Sequence, residues 1–348
     1  KDVSGLKIRV GRSGAAAKLQ KGDTFTLMEN AAGNITGDAA RVTGEGMDGV
    51  SRLYRFAVAP DAANRNKLIA TVTSVGFAEQ AKSLVETRAG LASFVNQGAD
   101  YLVQDGLAAA EMSVSASDAD KGGKNAQRQG ASSDGAAYQL WAGAGANSMR
   151  AESGSYVDSK GWNLGVGWAR ENAVKAGTLT FGPFIEYGRG SYDSYLNDNT
   201  HGSGKFRTFG LGVMARFEKN DGMWYEGSLQ GGRVKSDYSG SIYAGVNSSY
   251  DVSNTYWSGH LGAGKDIQLK DDAKITPYLR YFWSHQGGVT AHLNTNEDYD
   301  FSEVTSHRTR LGFRYTRQNE AAGEFYTGLA WEYEFSGSAH ASYQGYDT

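Results

Sequence analysis

Residues 206–218 alternate between apolar side chains and small or polar ones. One set of alternate positions holds Phe209, Leu211, Val213, Ala215 and Phe217. The intervening set holds Thr208, Gly210, Gly212, Met214, Arg216 and Glu218. Because a period of two places alternate residues on opposite faces of a strand, this segment predicts a β-strand with one apolar face. Apolar-out, polar-in alternation over about ten residues is typical of a transmembrane β-barrel.

The same unit recurs from residue 138 to the end of the sequence. It gives about nine candidate strands, within the range of known membrane barrels. Short turns such as 220–222 and 269–273 alternate with longer polar connections such as 191–205 and 292–306. We therefore predict an all-β fold, a transmembrane antiparallel β-barrel. Outward tryptophans are expected at its two membrane interfaces, and these are Trp162, Trp168, Trp257, Trp283 and Trp331.

The composition agrees with a β-barrel and argues against other classes of protein. Mean hydropathy is −0.50, and no run of about 18 apolar residues occurs, so no transmembrane helix is expected. The 47 glycines, 20 tyrosines and 7 tryptophans suit a curved sheet with aromatic belts. A net charge of −3 gives no general affinity for nucleic acid. The chain has no cysteine, which excludes thiolate metal sites and a cysteine nucleophile.

The region before the predicted barrel has two parts with different residue patterns. Residues 1–75 carry short β-type runs separated by Gly, Asn and Asp clusters, which predicts a small β-layer. Those runs are 6–10, 25–28, 53–58 and 68–73.

Residues 76–135 are predicted to hold a helix and a polar connection. Phe77, Leu84 and Leu91 recur every seven residues, which predicts an amphipathic helix over 77–112. Residues 113–135 lack periodicity, and we expect a flexible connection there before the barrel begins at about residue 136. Three glycines, each costing about 1 kcal/mol relative to Ala, are candidate breaks in the helix: Gly90, Gly98 and Gly106.

Alternation places a set of charged residues on the inward face of the predicted strands. They are Glu186, Arg216, Glu226, Arg280, Arg310, Arg314, Glu332 and Glu334. One interpretation is that they bind and orient the helix, which carries Glu79, Lys82, Glu86, Arg88 and Asp100. The other is that they pair with one another across neighbouring strands. The pattern alone leaves both open. In either case a water-filled lumen tolerates them, whereas a lipid-facing Arg would cost about 2–4 kcal/mol at the midplane.

No constellation of catalytic residues stands out. Glu332 and Glu334 share a face about 7 Å apart, a spacing found in glycosidases, but no sugar-binding surround accompanies them. The histidines lack the His-Glu-x-x-His spacing of a zinc helix. Gly-x-Gly runs such as 210–212 are not followed by a helix, so they do not predict a dinucleotide site. We expect no enzyme activity, no metal and no cofactor.

Several segments taken in order resemble the translocator β-domain of bacterial autotransporters, the type V secretion family. They are GSYVDSKGWNL at 154–164, GPFIEY at 182–187, TPYLRY at 276–281, SHRTRLG at 306–312 and GLAWEYEF at 328–335. Each is a loose aromatic-glycine pattern, but their common order is specific. The resemblance covers 77–348, and 1–75 looks like the carboxyl-terminal end of a passenger domain.

The resemblance implies a location, partners and a function. The expected protein is a monomeric barrel of about twelve strands in the Gram-negative outer membrane, with a helix in its pore. Its partners would be outer-membrane lipid, the barrel-assembly machinery and its own passenger in cis. The passenger would be exported to the cell surface, where adhesion or another virulence activity is a candidate.

The sequence departs from that family in its last residues. The family ends on an aromatic residue, whereas this sequence ends at Tyr346, Asp347 and Thr348. About nine strands instead of twelve leads us to expect closing strands beyond Thr348. The sequence leaves two alternatives open. A simple outer-membrane pore would lack the upstream helix and β-layer, and a soluble all-β adhesin fragment would need no detergent.

Overall fold

The computed structural model describes residues 2–3, 19–36, 43–48, 52–121, 137–152, 155–243, 246–269, 272–319, 323–343 and 346–347. They form three antiparallel β-sheets and one long helical segment.

A four-stranded sheet precedes the helix. Its strands are β1 (Thr24–Glu29), β2 (Thr43–Asp48), β3 (Arg52–Pro60) and β4 (Lys67–Phe77), in the order β1-β4-β3-β2. Tyr54, Phe56 and Leu68 lie in its buried core. The predicted runs at 25–28, 53–58 and 68–73 fall within β1, β3 and β4. Strand β2 was missed because its glycines give no apolar alternation, and the run at 6–10 lies outside the described residues.

One continuous helical segment follows β4. It comprises a 3₁₀ turn (Glu79–Ala81), helix α1 (Lys82–Tyr101), a π-helical turn (Leu102–Gly106) and helix α2 (Leu107–Lys121). The glycines therefore do not divide it. The prediction of a flexible connection is wrong for 113–121, which continue α2. The helix persists because Ala110 and Val114 are buried in a cluster with Trp141 of the first barrel strand.

Nine long strands form the main antiparallel sheet, which confirms the predicted fold class and strand number. They are β5 (Gln139–Glu152), β6 (Tyr156–Val174), β7 (Gly177–Tyr195), β8 (His201–Lys219), β9 (Met223–Tyr243), β10 (Val246–Lys265), β12 (Ala273–Gln286), β15 (Val304–Asn319) and β16 (Gly323–Ser336). Each pairs with its neighbour along the chain, and the short β11 (Ile267–Gln268) pairs with β12. Among the described residues the outermost strands β5 and β16 do not pair with each other.

Burial alternates along these strands as the sequence predicts. On β8, Phe209, Leu211 and Val213 are exposed, whereas Thr208 and Met214 are buried. The sheet is curved, and its inner, concave face holds the helical segment. Its outer, convex face carries the exposed aliphatic and aromatic side chains.

A third sheet lies beyond the ends of the long strands. It contains β13 (Val289–His292), β14 (Asp298–Phe301), β17 (Ala341–Tyr343) and β18 (Tyr346–Asp347). The connection 292–306, predicted as a polar loop, therefore contains β14, because Tyr299 and Phe301 alternate and pack into the main core. The connection 191–205 is also shorter than predicted: β7 continues to Tyr195 and β8 begins at His201.

Candidate functional site

Helix α1 lies against the concave face and is buried along almost its whole length. Its apolar side chains Leu84, Leu91 and Phe94 belong to the largest core cluster of the described chain. The close approach of α1 to the strands depends on glycine. A Cβ at Gly90 would lie 3.2 Å from Val157 of β6, and one at Gly98 would collide with the Glu186 carboxylate of β7. The glycines that weaken an isolated helix thus let this one touch the wall.

Tyrosines of the wall bind the amino-terminal half of α1. The hydroxyl of Tyr238 lies 2.9 Å from that of Ser83, and the hydroxyl of Tyr192 lies 2.8 Å from that of Thr87. Tyr250 donates to the backbone oxygen of Leu84 at 2.8 Å. These tyrosines were not among the predicted site residues, although their inward positions follow from the same alternation that identified the charges.

Arg88 of α1 connects the helix to the third sheet. Its side chain is 0% exposed. The guanidinium donates to the backbone oxygens of Gly287, at 2.8 Å, and Ser302, at 3.0 Å. These two residues flank the β13–β14 hairpin, so Arg88 fixes the base of the hairpin against the helix.

An ion-pair network joins the carboxyl-terminal end of α1 to β15 and β16. Asp100 lies 3.2 Å from Arg308 and 2.9 Å from Arg310. Glu332 contacts the same arginines at 2.8 and 2.6 Å. Both guanidiniums also lie over the ring of Phe282, about 5 Å from its centroid. Of these residues, Arg308 was not among the predicted candidates.

A second network joins α2 to β8, β9 and β12. Arg216 contacts Glu111 of α2 at 2.9 Å and Glu226 of β9 at 3.2 Å. Glu226 also accepts from Arg280 at 2.7 Å, and His260 lies 3.8 Å away. Because Glu226 is buried, both guanidiniums are needed to offset the loss of its hydration.

The predicted inward residues fall into groups that differ in their contacts. Arg216 and Arg310 pair directly with carboxylates of the helical segment, and Glu186 packs beside Gly98 of α1. Glu226 and Glu332 pair with arginines of the neighbouring strands β8 and β15, and Arg280 reaches Glu226 across the intervening strand β10. That this set orients the helix stays a prediction. Glu334 accepts from the hydroxyl of Ser306, and Arg314 lies over the ring of Tyr326.

Four of the predicted interface tryptophans are exposed on the convex face: Trp162, Trp168, Trp257 and Trp331. Trp283 is half-buried. Their assignment to the membrane interface stays a prediction.

A cavity of about 400 Å³ lies beside the π-helical turn of the helical segment. Its lining includes Gln104, Lys274, Arg280, Arg310 and Arg314. Within the described ranges, no carboxylate forms an ion pair with Arg314. The lining also contains Asp266, which pairs with Lys274 at 2.7 Å, and Arg280 and Arg310 are paired as described above, so most of the other positive charge of the lining is neutralised.

Reversing the charge at Arg314 is expected to change ion flow. In planar bilayers we expect the full-length protein carrying Arg314→Glu to shift toward cation selectivity, because the substituted side chain replaces a cation in the cavity wall. Arg317→Glu, at an exposed position near the end of the same strand, serves as the control. Unchanged selectivity in the Arg314 variant would contradict placement of this residue in the lumen.

In the part of the chain that the structure describes, no group of three or more His, Cys, Asp or Glu side chains could hold a metal ion. No helix among those residues is both long and apolar enough to cross a membrane.

Comparisons with known proteins agree with this architecture. The Autotransporter beta-domain family matches residues 140–348. Among solved structures, the β domain of the Bordetella autotransporter Brka is similar, with 20% sequence identity, a TM-score of 0.51 and coverage of 59% of this chain and 82% of that one. The translocator domain of NalP from Neisseria meningitidis aligns at 15% identity and a TM-score of 0.47, covering 59% of this chain and 76% of its own. The transport unit of AIDA-I from Escherichia coli aligns at 12% identity and a TM-score of 0.47, covering 59% of this chain and 71% of its own.

A comparison with curated proteins finds no match. The family match spans more than half of the sequence. A curved antiparallel sheet with an apolar convex face and a helix on its charged concave face is the architecture expected of that family. This chain belongs to the autotransporter β-domain family.

Proposed function

We propose that this chain exports its own amino-terminal segment across the Gram-negative outer membrane and keeps the last helix of that segment in the pore. One observation carries the proposal: the helical segment runs along the concave face and is bound at both ends. Tyrosines hold its start, and the ion pairs of Asp100 and Glu111 hold its later part. A polypeptide held in this way fits a segment that passed through the barrel and stopped there.

In this proposal the three parts of the chain have distinct roles. Residues 1–75 are the end of the passenger and lie at the cell surface, 76–135 form the pore helix and its connection, and 136–348 belong to the membrane barrel. The inward charges, including Arg216 and Arg310, orient the helix. The barrel acts as a monomer, is inserted by the barrel-assembly machinery and has no catalytic role.

Export also needs a source of directionality. The sequence has no phosphate-binding loop of the GxxxxGK[ST] type, so nucleotide hydrolysis by this chain does not drive it. Folding of the passenger outside the cell can bias the movement, because a folded sheet such as β1-β4-β3-β2 cannot slip back through a pore filled by a helix. Autotransporter family membership gives the passenger in cis that such a mechanism requires.

Removing the helical segment distinguishes this function from that of a simple pore. In planar bilayers we expect deletion of 82–121 from the full-length protein to raise conductance several-fold, because a helix about 10–12 Å in diameter no longer fills the lumen. Deletion of 19–77 is the matched control and should leave conductance unchanged. If removal of the helix does not change conductance, the helix does not plug the pore and the simple-pore alternative gains support.

A further inference from the structure

A patch of cations lies on the convex face just beyond the apolar belt, at the end where α1 begins. Its centre is a row across three neighbouring strands. Arg189 of β7 is directly opposite Arg207 of β8, and Arg207 is directly opposite Lys235 of β9. All three side chains are exposed, whereas their neighbours Phe206, Thr208 and Val234 point inward and are buried. The row therefore faces away from the lumen.

We call Arg189, Arg207 and Lys235 the basic row. Further exposed cations flank it. They are Lys160, Lys205 and Arg233. Within the described part of the chain, no carboxylate forms an ion pair with any member of the basic row. The nearest acidic side chain on β9, that of Asp237, lies farther from the belt and accepts the backbone N–H of Lys205 at 3.0 Å.

Such an arrangement is unfavourable for the protein alone. Directly opposed residues on antiparallel strands have Cβ atoms about 4.5–5.5 Å apart, and like charges at that separation repel each other. Two such pairs in succession, without a carboxylate between them, favour binding of a counter-anion from outside the protein.

The basic row lies at a defined height on the barrel. Arg189 is directly opposite Trp162 of β6, and the ring of Trp162 packs 5.5 Å from that of Tyr187. On β8, the exposed apolar residues Phe209, Leu211 and Val213 follow Arg207. Aromatic side chains of this kind mark the level of lipid headgroups, and the apolar residues beyond them mark the acyl chains.

The patch is also confined to one sector. On β10, Ser253 is directly opposite Lys235 and Thr255 is directly opposite Arg233, so the row of cations does not continue onto that strand. A uniform ring of cations would indicate general attraction to an anionic surface. A cluster of cations on β6–β9 that ends at neutral residues of β10 indicates a local site.

We propose that the basic row binds the phosphate groups of a phosphorylated glycolipid in the outer leaflet of the outer membrane, while its acyl chains lie on the apolar belt below. The proposal rests on the proposed function, which places this end of the barrel at the cell surface. Arginine donates to phosphate oxygens in a bidentate geometry, and adjacent strands space the donors for a headgroup with more than one phosphate. Such a lipid neutralises the row and anchors the barrel in that leaflet.

Binding is tested on the purified full-length protein in detergent, with diphosphorylated lipid A as the probe. We expect native mass spectrometry to show preferential retention of lipid A over phosphatidylcholine. The triple variant Arg189→Gln, Arg207→Gln, Lys235→Gln should lose about tenfold or more in affinity, because each cation near an anionic lipid surface contributes separately. The matched control replaces exposed cations near the opposite strand ends: Lys175→Gln, Lys265→Gln, Arg317→Gln. It should bind as the wild type does.

Three results would overturn the proposal. They are equal retention of phosphatidylcholine, unchanged lipid A binding by the triple variant, and displacement of lipid A by inorganic phosphate at matched concentration. The last result would mean that the row binds any free phosphate and does not select a lipid headgroup. Binding in detergent does not depend on export, so a failure of the proposed function in cells is distinguishable from a failure of this assay.

Discussion

Val213→Arg is expected to destabilise the protein in phospholipid vesicles by about 2–4 kcal/mol, the cost of an arginine on the lipid-facing side near the bilayer midplane. Val213 lies in the middle of the outward set of β8, and its side chain is 56% exposed. In a soluble protein the same change at so exposed a position would cost within about 0.5 kcal/mol. The expected loss therefore depends on hydrocarbon around the residue.

A second valine supplies a matched control. Val174 is exposed at the last position of β6, next to the turn into β7. Val174→Arg should cost only about 0–1 kcal/mol, because an arginine near the interface reaches water and headgroups. The measurement is the free energy of unfolding from vesicles by denaturant titration for both variants. Equal costs at the two positions would show that Val213 does not contact the bilayer core.

Asp100→Asn is expected to destabilise the protein by about 2–3 kcal/mol, somewhat less than the cost of breaking a fully buried ion pair. The substitution keeps the side-chain shape but removes the charge between Arg308 and Arg310. Glu332 still contacts both arginines, and Asp100 is only partly buried, so part of the interaction survives. The loss should loosen the carboxyl-terminal end of α1 from β15.

Asp105→Asn is the control for this substitution, because Asp105 is exposed on the same helical segment. It should change the free energy of unfolding by less than about 0.5 kcal/mol. A double-mutant cycle between Asp100→Asn and Arg310→Gln should give a coupling of about 1 kcal/mol or more. Strict additivity of the two substitutions would mean that the pair contributes nothing to helix docking.

The strands and their faces were predictable from the sequence for a physical reason. A barrel strand lies between lipid and the lumen, so its side chains alternate between apolar and polar ones. The apolar, outward positions recur every two residues, as at Phe209, Leu211 and Val213. The inward position of Arg310 follows from the same rule. Its partner Asp100 does not, because the pairing depends on how deep the helix lies and how it is rotated.

Other features depend on contacts between segments far apart in the sequence. The π-helical turn at Leu102–Gly106 and the continuation of α2 to Lys121 depend on packing against β5 and β6. Strand β14 forms because Tyr299 and Phe301 meet Tyr250 and Tyr343. The polar residues around Tyr299 predicted a loop, since no local pattern shows that a partner strand is available.

Labelling of single cysteines on intact cells tests the direction of export, which is the central claim, most directly. The chain has no cysteine, so one introduced thiol reports one position. Leu27→Cys lies at an exposed position on β1, and Lys175→Cys lies in the turn after β6, near the end where the helical segment finishes. A membrane-impermeant maleimide should label the first variant on intact cells and the second only after the outer membrane is permeabilised. Labelling of Lys175→Cys on intact cells, with Leu27→Cys protected, would contradict export of the amino-terminal segment.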